Sequence, residues 1–386
     1  MLNRDDATEF RQPSSQPGML KLLLTALLAG FGSAANSEEV GQAATNRAPL
    51  AVWETTIRAT IGGGYRDNVL SSSVAPESSA FVASTAEASL IRLSESGAQV
   101  ILFLLGEETR FTDAPAVGKE QLLSGSAQFL KPVGTRDELG GRLLYLYQNQ
   151  VLDVSDSEAN LYRVLVKGHG FTVQPYWNHT LGRGWSAQLE GTMLRQLYEH
   201  ELDGFWEAGG RLSFLYRYGH KSEFSFGYQF RQRLYDTRNQ FDHYGVAVPN
   251  TSLIYNRHEF AGEWRHYWDT GRHWLTATRA GVLLNRDNGS GYFDYDRILF
   301  AQQLRWRNYG WEIKAGGRFG WHFHRIQLVA GERRERSYYA LDLRAEKRLG
   351  KHWLLYTAAG REWNFSNEPL DEYNDWTASS GIGVEF

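Results

Sequence analysis

The 386-residue chain contains no cysteine. That excludes a disulfide framework, thiolate metal sites, covalent haem attachment and a lipid anchor on Cys. Strong charge of one sign is missing too. Lys and Arg total 41 and Asp and Glu 44, for a net charge of -3. Bulk electrostatics therefore make no case for nucleic-acid binding. No apolar run is long enough for a transmembrane helix. Beyond Ala51 no long stretch repeats with a helical period of 3.6.

Catalytic signatures are scarce as well. No Gly-x-Ser-x-Gly elbow and no His-Glu-x-x-His pair occurs. Ser71, Ser72 and Ser73 have no neighbouring His, and Gly62-Gly63-Gly64 opens no helix and so is no nucleotide loop. His322 and His324 alternate by two on one strand face, yet no carboxylate follows at a metal-ligand spacing. The chain is read as a non-enzyme with no cofactor and no metal. An outer-membrane hydrolase is the least supported alternative.

What the chain does have is aromatic residues, 13 Trp, 20 Tyr and 20 Phe, with 39 Gly. Near the start, Met19-Leu20-Lys21 leads into the apolar run Leu22–Phe31 and the small residues Gly32-Ser33-Ala34-Ala35. That is a secretory signal peptide, with cleavage expected after Ala34 or Ala35. Either Met1 or Met19 can serve as the start codon. Residues 1–35 thus read as a dispensable extension plus signal peptide, 36–50 as a periplasmic lead-in, and 51–386 as one domain.

Within that domain alternating segments recur, joined in turn by a tight turn and a longer polar loop. Tight turns include Leu181-Gly-Arg-Gly184, Asp269-Thr-Gly-Arg272 and Leu349-Gly-Lys-His352. Longer loops include 66–78, 236–251, 331–336 and 367–374. The count is about 16 strands of about 11 to 15 residues, the length of tilted membrane strands. Sorting of connections by length favours an all-β, antiparallel transmembrane β-barrel with short periplasmic turns and longer outer loops. A soluble sandwich has no reason to sort them so.

The last segment carries a resemblance. In Asp375–Phe386, Trp376, Ala378, Ile382, Val384 and Phe386 share one parity, and Thr377, Ser379, Gly381, Gly383 and Glu385 the other. An amphipathic strand ending on an aromatic residue resembles the closing strand of bacterial outer-membrane β-barrels. That resemblance implies that Phe386 is read by the barrel-assembly machinery, with the outer membrane as the destination. Two short motifs, Ile61-Gly-Gly-Gly-Tyr-Arg-Asp-Asn-Val69 and Leu349-Gly-Lys-His-Trp353, are similar to barrels in exopolysaccharide-export operons and surface-lipoprotein-export modifiers. Those exporters often carry tetratricopeptide repeats, which are absent here.

Parity assigns the faces. Trp311, Ile313, Ala315, Phe319, Trp321 and Phe323 read as lipid-facing, against Glu312, Lys314, Arg318, His322 and His324. Leu341 and Leu343 oppose Asp342, Arg344, Glu346 and Arg348. Phe224, Phe226, Tyr228 and Phe230 oppose Arg231 and Arg233. Leu212 and Phe214 oppose Arg211 and Arg217. Phe260 and Trp264 oppose Glu259, Glu263 and Arg265. A lipid-facing Arg at the midplane would cost about 2–4 kcal/mol, which gives the assignment its energetic basis. Parity between Trp353 and Trp363 stays open. Trp185, Trp268, Trp274, Trp311 and Trp353 near short turns, and Tyr198, Tyr235, Tyr292 and Trp363 near loops, read as two aromatic girdles.

The expected function is a pore for polar or anionic solutes or a secreted polymer, with those charged residues lining its lumen. Loop 236–251 is the expected constriction. The alternative is a structural or binding barrel closed by its own side chains. Outer-membrane lipid and the assembly machinery are the expected partners. Association of several copies stays open, as do the solute and any periplasmic partner.

Overall fold

In a computed structural model, residues 53–93, 97–154, 163–199, 202–219 and 221–386 are described. The signal peptide and the lead-in lie outside them. Among the described residues the chain forms β1 (Glu54–Arg66), β2 (Ser79–Leu93), β3 (Gln99–Phe111), β4 (Lys119–Val133), β5 (Asp137–Asp153), β6 (Arg163–Gly182), β7 (Trp185–Tyr198) and β8 (Phe205–Tyr218). The second half supplies β9 (Ser222–Tyr235), β10 (Ile254–Tyr267), β11 (Trp274–Asp287), β12 (Tyr295–Asn308), β13 (Trp311–Val329), β14 (Glu332–Leu349), β15 (Trp353–Ser366) and β16 (Tyr373–Glu385). Each strand pairs antiparallel with its sequence neighbours, and β16 pairs back onto β1 to close the barrel. Closure matters physically, because it leaves no edge whose N–H and C=O groups would go unpaired in lipid.

The tight turns form where positive φ is tolerated. Gly184 (φ 83°), Gly310 (φ 77°) and Gly350 (φ 70°) sit in the turns after β6, β12 and β14. One outer connection departs from the expected sorting by length. β13 and β14 are joined by Ala330 (φ 51°) and Gly331 (φ 88°) alone. Of the loop expected at 331–336, Gly331 belongs to this turn and Glu332–Arg336 continue β14, because two consecutive left-handed residues reverse the chain within a hairpin. Beyond Phe323 the register slips, so the hairpin's tip pairs Leu328 with Arg333.

The outer wall is apolar. Leu104, Leu123, Leu143, Leu189, Met193, Phe260, Leu341 and Leu343 are all more than two-fifths exposed. In water that much exposed apolar surface would be unfavourable, whereas in a hydrocarbon layer it is satisfied. At the short-turn end Trp268, Trp274, Trp311 and Trp353 also face outward. Trp363 faces outward near the loops, with the Arg361 guanidinium 4.9 Å from its ring centroid. Tyr198, Tyr235 and Tyr292 do not belong to a lipid girdle. Tyr235 is buried with Leu194, Phe205, Leu253, Tyr255 and Phe293, and Tyr198 and Tyr292 pack against that cluster. Their strand parity and the overlying loops turn them inward.

Candidate pore lining

The charged residues singled out from strand parity alternate along their strands with exposed apolar residues such as Leu212, Phe226, Phe260 and Leu343. Register sets Arg211 beside Gln229, Arg217 beside Glu223, Arg231 beside Arg257, and Glu263 beside Arg279. Further round, Lys314 neighbours Arg344, Glu312 neighbours Glu346, and Arg318 neighbours Ala340. The same pattern resolves β15. Leu354, Tyr356 and Glu362 are buried inside, while Trp353, Leu355 and Phe365 are exposed outside.

The inner charges form webs, and the densest was missed by sequence reading. Glu207, 1 % exposed, accepts from Arg231 Nη1 at 2.9 Å and from Arg233 Nε at 2.9 Å. Arg257 donates to the same carboxylate at 3.4 Å. Arg231 also reaches Glu259 at 3.4 Å, and Glu259 holds Arg279 at 3.3 Å. The signal for Glu207 was its parity with Arg211 and Arg217 on β8. A second web joins Arg58, Glu346 and Arg344, with bonds of 2.6 and 2.7 Å. In a third, Glu312 accepts from Arg307 at 2.6 Å and is bridged to Lys314 at 2.6 Å. Arg265 pairs with Glu223 at 2.8 Å, and Arg348 with Glu385 at 3.0 Å. Arg211 and Arg217 have no salt-bridge partner among the described residues.

Two features set the lumen's shape. First, inner side chains of the outer half are buried all round the wall, including Arg66, Glu120, Gln174, Glu207, His324 and Asp375. Arg66 lies 3.8 Å from Glu120, three strands away. Second, the signs are segregated. The inner face of β8–β14 is rich in Arg. On β1–β7 the inner acids Glu87, Glu107, Glu120, Glu138 and Glu190 outnumber Arg58, Arg66 and Arg142.

Loop 236–253 runs along the rim. Asp203 accepts from Thr237 N and Arg238 N at 2.8 and 2.9 Å, and Phe241 meets Phe293 edge-on at 5.1 Å. Its tip residue Tyr244 is 80 % exposed. The described contacts therefore bind this loop to its neighbours on the rim rather than across the lumen. His322 and His324 are buried beside Tyr295, with ring centroids 5.9 and 5.8 Å from it. Among the described residues no group of three His, Cys, Asp or Glu is arranged to hold a metal ion.

A closed antiparallel barrel of 16 strands, apolar outside and charged inside, defines a bacterial outer-membrane β-barrel. No family model and no curated protein matches the chain. Among solved structures, OccAB1 of Acinetobacter baumannii is similar over 86% of this chain and 97% of that one, at 10% identity and a TM-score of 0.44. The anion-selective porin from Comamonas acidovorans is similar over 86% and 99%, at 12% identity and a TM-score of 0.45. A bacterial polysaccharide outer membrane secretin is similar over 86% and 97%, at 10% identity and a TM-score of 0.43.

Proposed function

We propose that the protein is an outer-membrane channel for anionic solutes, with no catalytic step. The observation that carries this reading is the segregation of charge inside the barrel. A basic wall on β8–β14, behind which lies hydrocarbon, concentrates anions along one side of the lumen. Arg211 and Arg217, without a salt-bridge partner among the described residues, are the groups best placed to meet a passing anion.

Reversal potential across a salt gradient tests it, on the parent and on Arg211→Ser with Arg217→Ser. Anion selectivity in the parent, reduced in the variant, is the expected result. Salt should weaken the preference, since the Debye length falls from about 10 Å at 0.1 M to about 3 Å at 1 M. Cation selectivity in the parent would overturn the reading. Arg231 and Arg233 are poor probes, because both are held by Glu207.

The buried outer half of the lumen favours a second reading, a barrel closed by its own side chains. Absence of any conductance in a planar bilayer would select it.

A further inference from the structure

Near the rim, the outer wall of the barrel is indented. Ser337 on β14 lies between the buried, inward Arg336 and Tyr338, so it points outward. Register sets it beside Trp321 of β13 on one side and Phe365 of β15 on the other. A small side chain between two exposed rings leaves a groove, of about 630 Å³. Two residues along β14 toward the membrane, Tyr339 meets Phe319 and Phe365, with ring centroids 5.1 and 5.9 Å apart. Beyond Tyr339 the exposed Leu341 and Leu343 continue the apolar wall. The groove is therefore continuous with the surface that hydrocarbon covers.

Its upper end is held in place and charged. The Ser366 hydroxyl donates to Glu335 O at 3.0 Å. The Asn367 amide accepts from Glu335 N at 2.9 Å and donates to Arg333 O at 2.8 Å. These bonds tie the tip of the β13–β14 hairpin to the end of β15. Glu332, Glu335 and Glu372 line this end, all exposed, with Arg333 among them. None of the three carboxylates has an ion-pair partner among the described residues. Carboxylates beside aromatic rings are the chemistry that holds an ammonium group. Arg333 is left to meet an anion attached to it. The occupant that matches has an apolar chain for the groove and a head carrying both charges.

We propose that this groove holds a lipid of the surrounding membrane whose head is a phosphoethanolamine. One acyl chain lies between Trp321 and Phe365 and runs over Tyr339 toward Leu341. The ammonium meets Glu335, flanked by Glu332 and Glu372, and the phosphate meets Arg333. The site lies on the outside of the barrel, so it stands whether or not the lumen conducts. It involves binding alone, with no bond made or broken.

Native mass spectrometry of the barrel in detergent tests it. The probes are phosphatidylethanolamine and phosphatidylglycerol with matched acyl chains, each titrated separately. The parent should retain phosphatidylethanolamine about fivefold more tightly than phosphatidylglycerol. Glu332→Gln, Glu335→Gln and Glu372→Gln together should remove that preference, and the three side chains are exposed, so folding is spared. Ser337→Trp fills the groove and should weaken retention of both lipids several-fold. Leu189→Trp, on the outer wall of β7 half-way round the barrel, should change neither. Heat-dependent gel mobility confirms that each variant is folded. Equal retention of the two lipids by the parent would overturn the recognition of the ammonium. A preference that survives loss of the three carboxylates would do the same. Undiminished retention in Ser337→Trp would overturn the groove as the site.

Discussion

Arg66 on β1 and Asp375 on β16 form a buried ion pair, Nε to Oδ2 at 2.8 Å, across the seam where the barrel closes. Arg66 also donates to Ser71 at 3.0 Å. The pair therefore ties the closing seam to the first outer loop. Asp375→Ala leaves a buried guanidinium with the Ser71 hydroxyl and, at the longer distance of 3.8 Å, Glu120 as its remaining acid. We expect a loss of about 3 kcal/mol. The unfolding midpoint in lipid vesicles checks it, and an unchanged midpoint would show that the seam does not depend on this pair.

Faces are tested by exchanging neighbours. Leu343 is 51% exposed on the outer wall, while Arg344 is buried inside. Leu343→Arg should cost about 2–4 kcal/mol by placing charge in hydrocarbon. Arg344→Leu should cost less, because Glu346 keeps its bond to Arg58. The reverse order of unfolding midpoints would refute the assignment.

Gly140 and Tyr176 make a packing pair. A Cβ at Gly140 would lie 2.5 Å from Tyr176 Cε2, so Tyr176 lies against the bare backbone. Its hydroxyl accepts from Gln128 Nε2 at 2.9 Å. Gly140→Ala should destabilise by about 1–3 kcal/mol through overpacking. Adding Tyr176→Leu should recover part of that loss. A double-mutant cycle with no coupling would mean that the ring is free to move aside.

Deleting Phe386 removes two backbone bonds to Ile57, of 3.0 and 2.9 Å, and the ring that stacks on His352. Export should continue while the yield of assembled barrel falls sharply. Quantifying heat-resistant barrel in outer-membrane fractions decides it, with normal yield counting against an assembly role.

The turn between β10 and β11 carries a pH dependence. The Asp269 carboxylate accepts from Trp274 N at 3.0 Å and His273 N at 3.1 Å, which hold its pKa below the ordinary Asp value. A lowered folded pKa means stability present above the unfolded value, about 3.9, and lost as pH falls through the folded one. The parent should lose more stability than Asp269→Asn between about pH 5 and pH 2. Parallel pH profiles of the unfolding midpoint would remove Asp269 from the account.

Strand parity was legible because a charge facing lipid is costly, which makes segments such as Trp311–His324 alternate sharply. β15 was not, since Leu354 and Tyr356 turn inward beside the exposed Leu355 and Trp353, and both faces are apolar there. The Glu207 web needed register, because its arginines come from β9 and β10. The inward parity of Phe103 and Leu105 was hidden by the same rule that revealed the rest, as they merge with Leu102 and Leu104 into an unbroken apolar run. The Ala330–Gly331 reversal was masked by the charges around it, which read as loop.

Asp375 lies 309 residues beyond Arg66 along the chain. The two strands that seal the cylinder are thus the first and the last of the sixteen to leave the ribosome. Of the two partners β1 needs, β2 follows it directly and β16 lies at the far end of the chain. Until β16 arrives, its Gly-rich margin is a row of unmet donors and acceptors that any other extended chain could occupy. The pairing that completes the wall is therefore also the one with the greatest separation along the chain, and the cell must keep that margin unoccupied until it forms.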